Sequence, residues 1–479
     1  MYDVAIIGAG VIGCSIAREM SRYELRVCVL EKSSDAAAGT TKANSAIVHA
    51  GFDAKPDSLK GRLNAKGNDM FDRLSEELDF PFKRIGAFVL CFDKKDLYKL
   101  EELKKQGETN GVPGLVILSK GEIKKLEPNI SEDVVAALYA PSSGIVCPYE
   151  MTIALAENAN CNGVEFRFET EVTKIEKNNK GYLINTSNGE IEAALIVNAA
   201  GVHADEINNM VSKKKLDIVP RKGQYLLFDK EAGNLVSKTI FQLPTAMGKG
   251  VLVTPTVDGN LLLGPNAVDV EDKNDLITSK DGMDEIVSKG RLSVKDLPLN
   301  KVITSFSGLR AHSEADDFII GEAYDAENFI NAAGIESPGL SSAPSIAQVI
   351  ENIIAQKLKP KKNDNFNPIR KGIPKFRELS NEERNKLIKE RPEYGKIVCR
   401  CEVVTEGEII DSIRRPLGAR SLDGVKRRTR AGMGRCQAGF CSAKIVDILA
   451  KELNIAPTEV TKFGGDSKVL IEKNKESFV

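Results

Sequence analysis

The stretch Val4-Ala5-Ile6-Ile7-Gly8-Ala9-Gly10-Val11-Ile12-Gly13 decides the fold of the N-terminal part of the chain. Its apolar start predicts a buried strand, its glycines have the GxGxxG spacing, and a helical pattern continues to about Ser21. Such glycines allow a tight turn, close approach of a pyrophosphate and close helix–strand packing. A second apolar strand, Val27–Leu30, ends at Glu31, whose carboxylate can accept ribose hydroxyls and would repel a 2′-phosphate. The pattern therefore predicts bound NAD or FAD.

Composition is that of an ordinary globular protein. The 479 residues suggest about two to four domains. Lys and Arg number 67 against 68 Asp and Glu, which argues against nucleic acid as the main partner, because phosphate binding needs excess positive charge. No apolar run approaches the roughly 18 residues that span a bilayer, and we find no export signal. Nine cysteines, an odd number, indicate thiols or metal ligands in a reducing compartment, so we expect a cytoplasmic protein.

The composition changes after residue 356. Residues 357–396 are rich in Lys, Pro, Asn and Arg and predict an extended connector with at most one short helix, near Ser380–Lys389. A compact segment from Ile397 to about Leu453 then carries four of the nine cysteines, and a short polar tail follows. We expect the connector to join two separate folding units.

Three further segments resemble the D-amino-acid-oxidase-like superfamily of FAD enzymes: Thr40–Ser45, Val197–Gly201 and Asn331–Leu340. The resemblance implies that the first surrounds the pyrophosphate and flavin, that the second lies beside the dinucleotide, and that the third is the flavin-contacting turn before a helix N-terminus. It covers residues 1–356 and favours FAD over NAD. The implied fold class is α/β and α+β, with a Rossmann-like FAD domain, an interleaved antiparallel-sheet substrate domain and a small C-terminal helical iron–sulfur domain.

The resemblance also implies domain bounds and FAD contacts. The FAD-binding domain would comprise residues 1–80, 145–215 and 305–356, and the substrate domain residues 81–144 and 216–304, followed by the linker 357–396, the 2Fe–2S domain 397–455 and the tail 456–479. The expected FAD contacts are Gly8, Gly10, Gly13, Glu31, Lys32, Thr40, Thr41, Asn44, Ser45, Val172, Ala200, Gly201, Gly334, Glu336, Ser337, Gly339 and Leu340.

Ile47-Val48-His49-Ala50-Gly51, together with Asn44-Ser45, resembles the flavin-linked glycerol-3-phosphate dehydrogenases and oxidases and the related L-2-hydroxyglutarate dehydrogenases. Both families oxidise a secondary alcohol, which needs a base for the hydroxyl proton while hydride leaves for the flavin. A histidine near neutrality suits that role. His49 is therefore the catalytic candidate, His312 is second, and His203 is expected to be structural.

An anionic substrate needs a fixed cation. Arg310 matches the family's substrate-anion arginine, and arginine can hold a carboxylate or phosphate through two parallel hydrogen bonds. An ordinary surface ion pair is the alternative reading. Lys222 resembles a family element near the substrate domain, or is only the start of a strand.

The C-terminal cysteines form a CxC pair and a Cx4C pair, Cys399 with Cys401 and Cys436 with Cys441. Zinc sites usually use CxxC pairs, whereas this spacing resembles the bacterioferritin-associated-ferredoxin-like domain, which binds a 2Fe–2S cluster. Zinc and a nucleic-acid patch stay as alternatives. Arg414–Arg435 holds eight basic residues against one acid, and we expect them to stabilise the negative cluster. The other five cysteines are expected to be buried thiols: Cys14, Cys28, Cys91, Cys147 and Cys161.

These features together predict an FAD-dependent dehydrogenase of the glycerol-3-phosphate dehydrogenase family with a C-terminal 2Fe–2S domain. We expect the cluster to pass electrons to a partner flavoprotein or a quinone-linked subunit. No transmembrane segment is expected, but the protein could associate peripherally with a membrane. A 2-hydroxyacid dehydrogenase, such as one for L-2-hydroxyglutarate, and an FAD-dependent amine dehydrogenase stay as alternatives. A non-enzymatic electron carrier is supported by the cysteines alone.

Overall fold

The computed structural model describes residues 1–244 and 250–472. Residues 245–249 of the expected substrate domain and residues 473–479 of the expected tail lie outside the described residues. The strands, in chain order, are β1 (Tyr2–Ile7), β2 (Val27–Leu30), β3 (Ile47–Val48), β4 (Phe82–Arg84), β5 (Ala87–Cys91), β6 (Val116–Ser119), β7 (Ala136–Ala140), β8 (Gly144–Val146), β9 (Glu165–Arg167), β10 (Val172–Asn178), β11 (Gly181–Thr186), β12 (Gly189–Asn198), β13 (Val219–Phe228), β14 (Thr239–Gln242), β15 (Leu252–Pro255), β16 (Leu261–Gly264), β17 (Val268–Asp269), β18 (Val302–His312), β19 (Ile319–Ala323), β20 (Ala326–Ala333), β21 (Ile397–Cys399) and β22 (Val404–Thr405).

The helices lie between and after these strands. In chain order they are α1 (Val11–Met20), α2 (Leu59–Asp69), α3 (Phe71–Leu78), α4 (Leu97–Thr109), α5 (Lys120–Leu126), α6 (Pro148–Cys161), α7 (Ala204–Val211), α8 (Lys280–Ser293), α9 (Gly339–Leu358), α10 (Asn381–Glu390), α11 (Glu406–Arg414), α12 (Leu422–Thr429) and α13 (Ser442–Leu453).

The first sheet has a parallel centre, in the order β9-β2-β1-β12-β20, with β10, β11 and β19 added antiparallel. The predicted strand–helix–strand unit is confirmed in β1, α1 and β2. Helices α6 and α9 pack against α1, so the sheet is covered, as its continuous apolar strands require. Parallel strands end at one edge, which brings together the segments that follow β1, β2, β12 and β20.

The second sheet has nine strands in the order β17-β13-β16-β15-β14-β5-β7-β6, with β18 also paired to β13. Strand β13 runs antiparallel to β18 along nearly its whole length, and Arg221 lies opposite Arg310. A small separate sheet, β3-β8-β4, contains the strand that leads into His49. The mixed architecture expected from the resemblance is confirmed, while the domain bounds stay predictions.

The connector forms one helix, α10, close to the predicted position. That it joins two separate folding units stays a prediction, but the connector contacts the rest of the protein. Arg370 donates to Glu157 Oε2 at 2.7 Å and to Leu78 O at 3.0 Å, so the connector packs on the body of the protein. Beyond it, β21, β22 and α11–α13 enclose their own apolar core.

Two further expectations can be compared with the structure. Within residues 1–244 and 250–472, no helix combines the length and the apolar character needed to cross a membrane. Of the five cysteines outside the C-terminal module, four are buried, but Cys161 is exposed at the end of α6, which corrects the prediction for that residue.

Candidate active site

The glycine turn after β1 leaves room for a ligand on one side only. A Cβ on Gly8, at φ +105°, would lie 2.5 Å from Ala199 O, and one on Gly13 would lie 1.9 Å from Gly8 O. Both positions therefore require glycine. A Cβ on Gly10 would meet only Thr41 Oγ1, at 3.4 Å, so the backbone there is open to approach. This cradle fits a pyrophosphate at the N-terminus of α1.

Glu31 lies against the same turn. Its Oε2 accepts a hydrogen bond from Ala9 N at 2.8 Å, and its Oε1 accepts one from Ser33 N at 2.8 Å. These bonds fix the carboxylate, and each oxygen keeps a lone pair for a ribose hydroxyl. Thr170 N donates to Glu31 O at 2.9 Å, which brings Val172, at the start of β10, to this end of the site.

Three more predicted contacts, Lys32, Ala200 and Gly201, lie just after β2 and β12. Lys32 Nζ lies 3.0 Å from His203 Nε2, and His203 Nδ1 lies 3.1 Å from the Glu206 carboxylate. His203 thus takes part in a surface network. Ala200 and Gly201 follow β12, and no atom would lie within 4 Å of a Cβ added to Gly201, so this strand end also leaves open space.

The predicted flavin loop joins α1 to β18. Thr41 Oγ1 accepts from Val11 N at 3.0 Å, and Thr40 Oγ1 donates to Leu309 O at 2.6 Å. Asn44 stabilises the loop from inside, since its Nδ2 donates to Thr41 O at 2.8 Å. Ser45 Oγ lies 3.4 Å from the Tyr225 hydroxyl. The loop therefore lies between the dinucleotide cradle and the second sheet.

The turn after β20 faces this loop. Gly334 has φ +62°, Gly339 and Leu340 begin α9, and between them Ser337 and Glu336 reach the two candidate histidines. Ser337 Oγ lies 3.4 Å from His49 Nε2, and Glu336 Oε1 lies 3.1 Å from His312 Nδ1. The structure thus brings two histidines that are far apart in sequence to consecutive residues of one turn.

His49 is held on both sides of its backbone. Its N donates to Ser341 Oγ at 2.7 Å, and its O accepts from Asn68 Nδ2 at 3.0 Å. The imidazole ring lies 5.7 Å from the Phe241 ring, centroid to centroid. His49 is therefore placed where the flavin turn, the small sheet and the second sheet meet.

Most cations around the site are already paired. Lys60 bridges Glu336 at 3.0 Å and Asp316 at 3.2 Å; similarly, Arg221 pairs with Asp269 at 2.6 Å and Lys222 with Asp275 at 2.7 Å. Lys222 lies within β13 rather than at its start. Arg310, half-buried on β18, donates only to the backbone O of Asn266, at 3.1 Å, and makes no ion pair with any residue the structure describes. Its charge is therefore available to an anionic ligand.

The sequence did not predict the ion pair between Lys60 and Glu336. It also did not predict that Phe241 lies beside His49 or that Tyr225 lies beside the flavin loop. Lys60 belongs to a charged helix that reads as solvated, and its partner lies 276 residues away. No local sequence signal could have found this pair.

The four C-terminal cysteines converge in two pairs. Cys401 Sγ lies 3.5 Å from Cys436 Sγ. The hydrogen bond from the Cys441 thiol lowers the pKa of Cys399 to about 6, against the effect of burial and with help from the backbone N–H groups of Gly432 and Glu402. A Cβ on Gly434 would lie 2.3 Å from Cys401 Cβ, so this close approach requires glycine. A four-sulfur donor set with one thiol readily ionised fits an iron–sulfur cluster.

The basic run does not have the role expected from the sequence. Arg427 and Arg428 pair with Asp35, Arg430 with Asp258 and Glu402, Arg415 with Glu157, and Arg435 with Asp229 and Glu231. Asp35, Asp258 and Glu157 all lie in the body of the protein. The expectation that these arginines neutralise the cluster is therefore wrong for most of them, because they dock the C-terminal segment instead.

Comparisons with known proteins agree with both halves of the chain. Residues 3–353 match the family described as FAD dependent oxidoreductase, and residues 397–451 match the BFD-like [2Fe-2S] binding domain. A glycerol 3-phosphate dehydrogenase of Caloramator mitchellensis is 57% identical over 99% of both chains. The solved structure of L-alpha-glycerophosphate oxidase from Mycoplasma pneumoniae with FAD bound is 34% identical, with a TM-score of 0.73 over 77% of this chain and 98% of that one. A Caenorhabditis elegans mitochondrial L-2-hydroxyglutarate dehydrogenase is 30% identical over 56% of this chain and 64% of its own length.

Proposed function

The chain belongs to the FAD dependent oxidoreductase family and carries a C-terminal BFD-like [2Fe-2S] binding domain, and we propose that it oxidises sn-glycerol 3-phosphate to dihydroxyacetone phosphate. Electrons would then leave through the 2Fe–2S domain to a partner acceptor. The observation that carries the proposal is the 57% identity to a glycerol 3-phosphate dehydrogenase over nearly the whole chain, cysteine module included.

The residues around the turn after β20 can each take a different role in this reaction. Arg310 binds the phosphate of the substrate, since it forms no ion pair among the described residues and its one hydrogen bond goes to a backbone oxygen. The secondary hydroxyl replaces Ser337 Oγ, 3.4 Å away, as the hydrogen-bond partner of His49 Nε2, which then accepts the hydroxyl proton. FAD, when bound, would accept the hydride from the carbinol carbon. The apolar ring of Phe241 limits water beside His49.

The FAD would be held by the cradle that fits it. Gly8, Gly10 and Gly13 receive the pyrophosphate, and Glu31 accepts the ribose hydroxyls. The remaining contacts proposed for FAD follow the resemblance: Lys32, Thr40, Thr41, Asn44, Ser45, Val172, Ala200, Gly201, Gly334, Glu336, Ser337, Gly339 and Leu340.

Contacts between the two halves support an electron exit through the cysteine module. The Tyr149 hydroxyl lies 3.4 Å from Met433 Sδ, three residues before Cys436. On the other side, Val146 N donates to Ala46 O, next to the flavin loop, at 2.9 Å. Phe440, beside Cys441, is 87% exposed, so this face is open to a partner. We propose that the partner is an electron-accepting flavoprotein or a quinone-linked subunit.

An anaerobic substrate panel tests the reaction. The purified protein is mixed with glycerol 3-phosphate, L-2-hydroxyglutarate, lactate, sarcosine or proline, and the visible absorbance of the flavin is followed. We expect glycerol 3-phosphate to bleach the flavin fastest. Faster bleaching by L-2-hydroxyglutarate would favour the second candidate, which the C. elegans relative supports and whose carboxylate Arg310 could also hold. Bleaching by sarcosine or proline alone would indicate an amine dehydrogenase.

Metal and peroxide analyses test the electron exit. Two irons and two sulfides per chain are expected for the four-cysteine site. Addition of substrate in air should then yield little hydrogen peroxide compared with reduction of an added one-electron acceptor. Stoichiometric peroxide from a preparation without cluster absorbance would show that oxygen is the acceptor.

A further inference from the structure

The irregular segment between β2 and the flavin loop, residues 32–39, is called the dinucleotide loop below. It packs directly on the glycine turn, because Ala37 N donates to Ala9 O at 3.0 Å. At its centre lies Asp35, whose side chain is only 7% exposed. A buried carboxylate needs compensation. Within its own loop Asp35 accepts one hydrogen bond, from Ala36 N at 2.9 Å, and among the described residues no cation of the body of the protein pairs with it.

The compensation comes from the C-terminal domain. Arg428 of α12 binds Asp35 through two parallel bonds, Nη1 to Oδ2 at 2.7 Å and Nη2 to Oδ1 at 2.8 Å. Arg427 Nη2 adds a third bond to Oδ2, at 2.7 Å. Both guanidinium side chains are buried. We call these three residues the Asp35 clamp.

Arg428 is itself fixed within its own domain. Its Nη1 donates to Gly424 O at 3.0 Å and its Nη2 to Leu417 O at 2.7 Å. The dinucleotide loop is therefore bound to a rigid helix rather than to a mobile side chain. Burial alone would raise the pKa of Asp35, but the guanidiniums of Arg428 and Arg427 outweigh it and hold the pKa below its ordinary value.

A second contact joins the same loop to the chain after α13. Ser34 Oγ donates to Phe463 O at 2.6 Å, and a Cβ on Gly464 would lie 2.4 Å from the Ser34 side chain. The dinucleotide loop is thus held between the glycine turn on one side and the C-terminal segment on the other.

Other ion pairs also attach the C-terminal domain to the rest of the protein, so attachment alone does not require the Asp35 clamp. Arg415 binds Glu157 on α6 through Nε and Nη2, and Arg430 binds Asp258 in the second sheet at 2.8 Å. These pairs dock the domain at points away from the glycine turn. The clamp is the ion-pair contact that reaches the dinucleotide loop itself.

We propose that the C-terminal domain is a structural part of the FAD site, because the Asp35 clamp holds the dinucleotide loop in the shape that binds FAD. Asp35, Arg427 and Arg428 are positioning residues and do not take part in the oxidation. The coupling is reciprocal, so bound FAD also strengthens docking of the domain that carries the cysteines. The proposal rests on the FAD site of the proposed function but not on its substrate.

The test compares FAD affinity in three full-length proteins. The triple variant Asp35→Asn/Arg427→Gln/Arg428→Gln removes all three charges together, so no buried charge is left unpaired. Arg415→Gln is the matched control, since it removes a docking ion pair that does not touch the loop. After flavin is removed, FAD is titrated back by its fluorescence, and iron content is measured in each protein.

We expect the triple variant to bind FAD at least about fivefold more weakly than wild type while keeping its iron, and Arg415→Gln to bind it as wild type does. Binding by the triple variant within about twofold of wild type would overturn the proposal. So would an equal loss in Arg415→Gln, which would show that any weakening of docking suffices. No substrate is used, so a wrong substrate assignment leaves this result unaffected.

Hydrogen exchange of the wild-type protein gives an independent measurement that needs no variant to fold. With FAD bound, amides of α12 should exchange more slowly than without it, and those of α13, which forms no hydrogen bond or ion pair with the described residues of the loop, should change less. Equal rates in α12 with and without FAD would overturn the proposal.

Discussion

Replacing Arg310 with glutamine should weaken oxidation of the anionic substrate selectively. Arg310 uses one N–H on Asn266 O, and its other donors can form two parallel hydrogen bonds to a phosphate. A hydrogen bond to a charged group contributes about 1.5–3 kcal/mol, and glutamine can keep one neutral donor in place. We therefore expect a loss of about 2–3 kcal/mol in transition-state binding, which is a roughly 30- to 150-fold drop in kcat/KM.

The assay is anaerobic flavin reduction by glycerol 3-phosphate and by glycerol, which lacks the phosphate. Because the lost interaction is with the phosphate, the variant should lose most of its preference for glycerol 3-phosphate, while reduction by glycerol changes little. Arg221→Gln is the matched control. Arg221 lies opposite Arg310 on the neighbouring strand and already pairs with Asp269, so its loss should leave the preference intact.

Two results would refute the reasoning. Equal losses with both substrates would show that Arg310 acts on the hydroxyl-bearing end of the substrate or on the fold. An unchanged kcat/KM for glycerol 3-phosphate would remove Arg310 from the substrate site altogether.

Four further predictions concern the cofactors and the base. His49→Ala should slow flavin reduction roughly 10²- to 10⁴-fold without loss of FAD, measured by stopped-flow absorbance; an unchanged rate would move the base to His312 or to solvent. Glu31→Ala should weaken FAD retention, because the ribose acceptor is lost while the glycine cradle remains, and equal flavin content after dialysis would place Glu31 elsewhere. Cys436→Ser should remove iron and the broad absorbance beneath the flavin bands, whereas one zinc per chain in the wild type would contradict the cluster assignment. Acid should weaken binding of the C-terminal domain at Asp35 only at low pH, because the pKa of Asp35 is held below its ordinary 3.8. The ion pairs of the Asp35 clamp are therefore fully formed above about pH 4 and are lost as the pH falls through the lowered pKa. FAD release that begins well above pH 4 would argue against that order.

The parts of the fold that depend on local pattern could be predicted from the sequence. The strand β1, the glycine turn and α1 lie within twenty residues, and each is specified by apolar periodicity or by glycine geometry. The helix α10 lies within one residue of the predicted Ser380–Lys389, and it begins at a capping box of Ser380 and Glu383 on which that prediction did not draw. The packing of the connector on the body of the protein was not predicted, because nothing in the sequence around Glu157 and Leu78 indicates that they contact it.

Most residues of the candidate site were predicted from the resemblance to a family rather than from the physical chemistry of the residues themselves. Nothing in the residues around His49 shows that Ser337 will lie 3.4 Å from its ring, since 288 residues separate them. The edge of the parallel sheet explains the meeting, because the chain returns there after β12 and β20. The topology of the parallel sheet predicts which segments meet at its edge, but it does not predict which side chains are in contact. The pair between Lys60 and Glu336 shows the gap, because Lys60 alone reads as a solvated charge and Glu336 was predicted to contact FAD rather than a lysine.

The basic residues between Arg414 and Arg435 show why a count of charges in the sequence predicted the wrong binding partner for these arginines. Eight basic residues near four cysteines suggest compensation of a negative cluster, but an arginine binds whichever carboxylate the fold brings to it. Asp35 and Asp258 lie in loops more than 150 residues earlier, and burial makes their pairing with Arg428 and Arg430 necessary, because an unpaired buried charge is costly. These contacts hold the C-terminal domain against both sheets. The proposed electron transfer therefore needs no swinging of the connector: the domain that carries the cysteines is already placed, and the charges that place it also hold the loop proposed to bind FAD.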